Sequence, residues 1–122
     1  MTDCHGREEA MTYEELVLRV RDVYENADAR EVFEHIAVQV NVEGEAAGAF
    51  YLEVADRQVC VEPYDYYDRD ILVTVDTRVL LDLLDNRLGY REAIDNGMLR
   101  IEGNIVKFGL LSKIKIQNKK IE

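Results

Sequence analysis

The apolar residues of this chain change their period along its length, and that change restricts the fold more than any other feature. From about Ala37 they recur at every second position: Val38, Val40 and Val42 alternate with Gln39, Asn41 and Glu43. Successive side chains on a strand point to opposite faces, so this alternation predicts a strand buried on one side only. Phe50, Leu52 and Val54 form a second row, Val59 and Val61 a third, Ile71, Val73 and Val75 a fourth, and Leu99 and Ile101 a fifth. Residues 43–48 and the pair Asp56-Arg57 read as turns between the first three. Pro63 ends the third strand and opens an acidic, tyrosine-rich loop, Tyr64-Asp65-Tyr66-Tyr67-Asp68-Arg69.

Helical spacing occupies the rest. Thr12 and Glu15 stand in the capping-box relation, and Leu16, Val20, Val23 and Tyr24 follow at helical intervals. Asn26-Ala27-Asp28 is expected to break this helix and recap a shorter one carrying Val32, Phe33, His35 and Ile36. Asp76 or Thr77 caps a leucine-rich helix with Leu80, Leu84 and Leu88 on one line and Leu83 on another face, broken at Leu88-Gly89-Tyr90. A short helix through Ala93 and Ile94 ends at Asn96-Gly97. Gly103-Asn104 launches a last amphipathic helix with Ile105, Phe108, Leu111 and Ile114 facing inward. Two helices, an antiparallel run of strands, two helices, a strand and a helix make an α+β fold, a five-stranded mainly antiparallel sheet covered by helices. The 122 residues suffice for a single domain, 1–122, with residues 1–10 expected to form a flexible N-terminal segment.

Charge excludes one class of partner. Up to Asn104 ten arginines and no lysine face 24 acids, a net −14, while residues 105–122 carry five lysines and one acid, a net +4. So acidic a body repels phosphate backbones, and nucleic acid is not an expected partner. The basic stretch (Lys107, Lys113, Lys115, Lys119 and Lys120) suits transient contact with an anionic membrane, packing against the chain's own acids, or simple solvation. No apolar run approaches the roughly 20 residues of a membrane span. The first residues lack the basic start and apolar stretch of a signal peptide, and the last match no peroxisomal or prenylation signal, so a cytoplasmic location is expected.

Chemistry is sparse. The two histidines, His5 and His35, and the single serine, Ser112, do not suggest a triad. Cys4 and Cys60 belong to no metal-binding spacing, and a Cys60–His35 pairing or a role for the Tyr64–Tyr67 loop has no activating base written beside it. The glycines never assemble a phosphate-binding loop. Asp65, Asp68 and Asp70 lack the glycine and terminal glutamate of an EF-hand, so a plain acidic turn is expected. No catalytic residue, cofactor or metal is expected. What remains is apolar surplus on two helices facing a five-stranded sheet. It fits either a densely packed core or a cavity for an apolar ligand.

The C-terminal half also carries a resemblance. Asp70-Ile71-Leu72-Val73-Thr74-Val75-Asp76, followed by Val79-Leu80-Leu81-Asp82-Leu83-Leu84-Asp85-Asn86-Arg87-Leu88, resembles a strand and helix of the sterol carrier protein type 2 domain. Ala93-Ile94-Asp95-Asn96-Gly97-Met98-Leu99-Arg100-Ile101-Glu102-Gly103-Asn104 resembles that family's most distinctive stretch, with Tyr90 where the family often has proline. The resemblance implies a hydrophobic tunnel between sheet and helices. It also implies non-enzymatic binding or transfer of a sterol, fatty acid, acyl-CoA or phospholipid, and a stand-alone, prokaryotic-type member. Carried over by position, the ligand-binding wall would comprise Phe50, Leu52, Val73, Leu80, Leu84, Leu88, Ile94, Leu99, Ile101, Phe108 and Leu111. Domains of this kind also serve larger enzymes as interaction modules. The alternative expectation is therefore a ligand-free interaction or homodimerisation module.

Overall fold

The computed structural model describes residues 11–64 and 68–115. Helix α1 (Tyr13–Tyr24) is followed by strands β1 (Ile36–Glu43), β2 (Gly48–Ala55), β3 (Gln58–Glu62) and β4 (Ile71–Asp76). Then come α2 (Thr77–Leu84), α3 (Tyr90–Asp95), β5 (Leu99–Gly103) and α4 (Ile105–Leu110), which runs into a 3-10 turn (Leu111–Lys113). The capping box of α1 is present, with the Thr12 hydroxyl accepting from the Glu15 amide and the Glu15 carboxylate accepting from the Thr12 amide. Asp76 caps α2 and Asn104 caps α4, each accepting a backbone N–H of the first turn.

The five strands form one sheet in the order β3-β2-β1-β4-β5. Four strands do not simply meander, as the expected antiparallel run would have them. After β3 the chain crosses back and lays β4 parallel to β1, with Val38 beside Ile71 and Val42 beside Val75. The remaining pairings are antiparallel. Residues 63–70 supply the length that this crossover needs, and β1 becomes the central strand. Val38, Val40, Phe50, Leu52, Val54, Val61, Ile71, Val73, Val75 and Leu99 are buried with Leu16, Val17 and Val20 of α1, so the helices cover this one face.

Three local expectations fail for identifiable reasons. No helix forms at Val32, Phe33 and Ile36: residues 26–35 are irregular, Ile36 begins β1, and Phe33 lies 77% exposed beneath the Arg57 guanidinium. Asp28 starts a turn by accepting from the Arg30 amide and guanidinium, but its own N–H and C=O pair with Lys115, which holds it extended. The last helix stops at Leu110, and Ile105 at its start is 60% exposed rather than turned inward. Ser112 bonds back to the Gly109 carbonyl, and the chain turns extended at Ile114. Leu88 leaves the line of Leu80 and Leu84 because α2 ends first, with Asn86 in the left-handed region at φ 63°.

Edges and corners are tied by side chains. On edge strand β3, the outward carbonyl of Val61 accepts from the Arg21 guanidinium and its N–H donates to Glu25, so α1 satisfies groups that another strand would otherwise pair. The buried Thr77 hydroxyl donates to the Glu43 carbonyl at 2.8 Å and accepts from the Ala46 amide at 3.1 Å, latching the β1–β2 turn to α2. Asp70 accepts from the Ala37 amide and from Lys107 of α4. Partial burial opposes its charge, yet those donors outweigh it and hold its pKa below the usual value of 3.8.

Thr77→Val keeps the shape but leaves two backbone groups unpaired. It is expected to lower unfolding free energy in urea by about 1–3 kcal/mol. Folding lowers the Asp70 pKa, so the contribution of its contacts is complete above the ordinary value of 3.8 and is lost as pH falls through the lower folded value. Urea midpoints measured from pH 7 down to pH 2 should therefore fall below about pH 4. Asp70→Asn should be weaker at pH 7 but lose less on acidification.

Candidate functional site

Between the inner face of the sheet and the helices lies a cavity of about 650 Å³. That is inside the range of roughly 300–1,000 Å³ typical of small-molecule sites. Its floor is the inner rows of four strands: Val38 and Val40 from β1, Phe50 and Leu52 from β2, Val73 and Val75 from β4, and Leu99 from β5. Helix α1 contributes Val20 and Tyr24, α2 contributes Leu80 and Leu83, and α3 contributes Tyr90, Arg91 and Ile94. Phe108, Gly109, Leu111, Ser112 and Ile114 close the remaining side.

The structure brings Phe50, Leu52, Val73, Leu80, Ile94, Leu99, Phe108 and Leu111 together around this space. Leu84, Leu88 and Ile101 lie outside its lining. Helix α2 presents Leu80 and Leu83, three residues apart, while Leu84 is buried beside them and Leu88 has left the helix. Ile101 stays half-buried on edge strand β5, paired with Val73. Val38, Val40 and Val75 belong to the same alternating rows as the expected residues, so the periodicity contained the signal for them. Val20 was legible as part of the inner stripe of α1. Tyr90, Arg91 and Ser112 carry no apolar periodicity, and only the fold places them here.

The polar side chains of the lining are few. Tyr24 and Tyr90 join their hydroxyls in a hydrogen bond that links the end of α1 to the start of α3. Burial raises the Tyr24 pKa well above 10.0, and the adjacent Tyr90 adds to the effect, so the phenol stays protonated. Ser112 is bound to its own helix, and Arg91 is exposed.

The remaining candidates are placed elsewhere. His35 precedes β1, with Nε2 at 2.6 Å from Glu53. The Cys60 thiol donates to Glu62, and burial, that bond and neighbouring carboxylates push its pKa up, away from the thiolate. Asp70 is engaged by Ala37 and Lys107, Asp68 is exposed, and Asp65, Tyr66, Tyr67, Cys4 and His5 lie outside the described residues. Among the described residues no three His, Cys, Asp or Glu side chains are grouped to hold a metal, and no helix is long and apolar enough to cross a membrane. Lys107 pairs with Asp70 and Lys115 with Glu31, so part of the basic stretch lies against the chain's own acids.

Comparison with solved structures finds the same architecture. Sterol carrier protein 2 like 2 from Aedes aegypti matches with a TM-score of 0.58 at 19% identity, over 82% of this chain and 89% of that one. The solution structure of the palmitated form of that protein gives 0.56 at 20% identity, over 82% and 86%. The sec-alkylsulfatase Pisa1 from Pseudomonas sp. gives 0.63 at 14% identity, where 87% of this chain corresponds to only 16% of the enzyme. No curated protein matches the chain. The profile of the SCP-2 sterol transfer family matches residues 15–114, nearly all of the described fold, and the chain belongs to that family.

Proposed function

We propose that the chain is a non-enzymatic carrier that holds one apolar or amphipathic lipid in the cavity between sheet and helices. Family membership supports lipid binding or transfer in general. The observation that carries the specific reading is the cavity itself: about 650 Å³, walled mainly by valine, leucine, isoleucine and phenylalanine. Protein interiors pack to crystal-like density and keep few voids larger than a water molecule, so a purely packed interaction module would not leave this space. Each methylene moved from water into it contributes roughly 0.8 kcal/mol, which makes an acyl or isoprenoid tail a strong occupant. A palmitated relative of the same fold adds support.

In this reading Phe50, Leu52, Val73, Leu80, Ile94, Leu99, Phe108 and Leu111 contact the ligand, with Val38 and Val40 beneath it. Delivery then requires brief contact with a membrane, for which exposed Lys113 beside the terminal turn supplies positive charge. The carrier would work in the cytoplasm, as a monomer or a homodimer.

Native mass spectrometry of the purified protein should show a lipid adduct that organic extraction identifies by class. Val40→Phe fills the cavity from the central strand. It should weaken binding of a fluorescent fatty acid by about tenfold or more while the thermal midpoint stays within a few degrees. Unchanged binding in that variant, with the fold intact, would place the lipid elsewhere.

A further inference from the structure

The cavity wall contains one charged side chain among the described residues, Arg91 in the first turn of α3. Most other arginines are committed: Arg19 to Asp85, Arg21 to Val61 and Glu62, Arg30 to Asp28, Arg78 to Glu45. The Arg91 side chain makes no hydrogen bond or ion pair with any described residue, and it is exposed. The same wall holds Tyr24 and Tyr90, whose hydroxyls are bonded to each other. Each phenol has one proton. Whichever tyrosine donates, the other keeps an O–H free for an outside acceptor. A planar guanidinium with five N–H donors and a spare phenol O–H thus belong to the lining of one apolar chamber. They match an oxygen anion carried on an apolar tail.

Resting on the carrier reading above, we propose that Arg91 is a specificity-determining residue that receives the anionic head, carboxylate or phosphate monoester, of a single-tailed amphiphile. The tail lies along the valine floor, and the free hydroxyl of the Tyr24–Tyr90 pair gives the head a second donor. A neutral ester or alcohol of the same length fills the chamber equally well but leaves the guanidinium without a partner. The protein therefore ranks ligands by head charge as well as by tail. Lysine at this position would keep the charge and lose the two-pronged geometry.

The test is competition against a fluorescent long-chain fatty acid, using palmitate, methyl palmitate and hexadecyl phosphate on the wild type, Arg91→Gln and Arg91→Lys. In the wild type palmitate should bind roughly tenfold or more tighter than its methyl ester, as expected for a hydrogen bond to a charged group. Arg91→Gln should abolish that preference and leave the ester unchanged, while Arg91→Lys keeps part of it. Tighter binding of hexadecyl phosphate than palmitate would assign the natural head to phosphate, and the reverse order to carboxylate. An unchanged acid-to-ester ratio in Arg91→Gln overturns the assignment while the carrier function stands. Equal loss of acid and ester in that variant overturns it too, because the residue would then act through packing. If no probe binds the wild type, the carrier reading fails and this one with it.

Discussion

Asp70 is the point at which four elements meet. Its N–H donates to the Ala37 carbonyl and its carboxylate accepts from the Ala37 amide, which seats the start of β4 against β1. Its carbonyl accepts from Asn104, and its carboxylate also accepts from Lys107, which in turn donates to the His35 carbonyl. One residue thus fixes the parallel crossover, the end of β5 and the seat of α4. Gly103 passes so close that any Cβ there would run into the Asp70 carbonyl, and its φ of 112° is one that other residues rarely adopt. The cavity depends on this junction, because α4 and the turn after it supply one of its sides.

The empty space follows from element lengths. Strands β1 and β2 have eight residues each, or about 26 Å of sheet. Helix α2 has eight residues, about 12 Å, and α3 and α4 have six each, about 9 Å. Beside α1, with twelve residues or about 18 Å, helices this short leave part of the face untiled. The inner rows of β1 and β4 add little filling, because they consist mainly of valines, whose side chains end one carbon beyond Cβ. A floor of short side chains beneath the helices leaves a chamber between the two layers.

That geometry explains what the sequence made legible. Strict alternation identified every strand, although the central strand β1 also buries Ala37 and Gln39 on its other face, against the one-sided burial that the alternation predicts. The inner row was therefore readable down to Val38, Val40 and Val75. The caps at Thr12, Asp76 and Asn104 were readable because their partners lie within three residues. Strand order was not, because a crossover depends on which edge β4 reaches after residues 63–70, and no local pattern encodes that. The missing helix at Val32 failed for a related reason: Asp28 can begin a helix, but its backbone is claimed by Lys115, 87 positions away. The polar rim was invisible for the same cause. Tyr24 and Tyr90 are 66 residues apart, and only tertiary structure joins them.

The net charge of −10 bears on how a polar rim works in this molecule. Acids distributed over the surface repel an anionic ligand at long range, but at physiological salt their field decays over about 8 Å. Within that distance only local groups matter: Asp70 is already paired with Lys107 and Glu31 with Lys115, while Glu92 and Asp95 share α3 with Arg91. The Arg91 guanidinium has no side-chain partner among the described residues, and at contact distance one charge has more weight than many screened, distant ones. Long-range repulsion slows encounter and short-range pairing slows escape. Under the head-group role proposed for Arg91, a strongly acidic protein would retain an anionic amphiphile once it has arrived, while other anions have no apolar tail to hold them there.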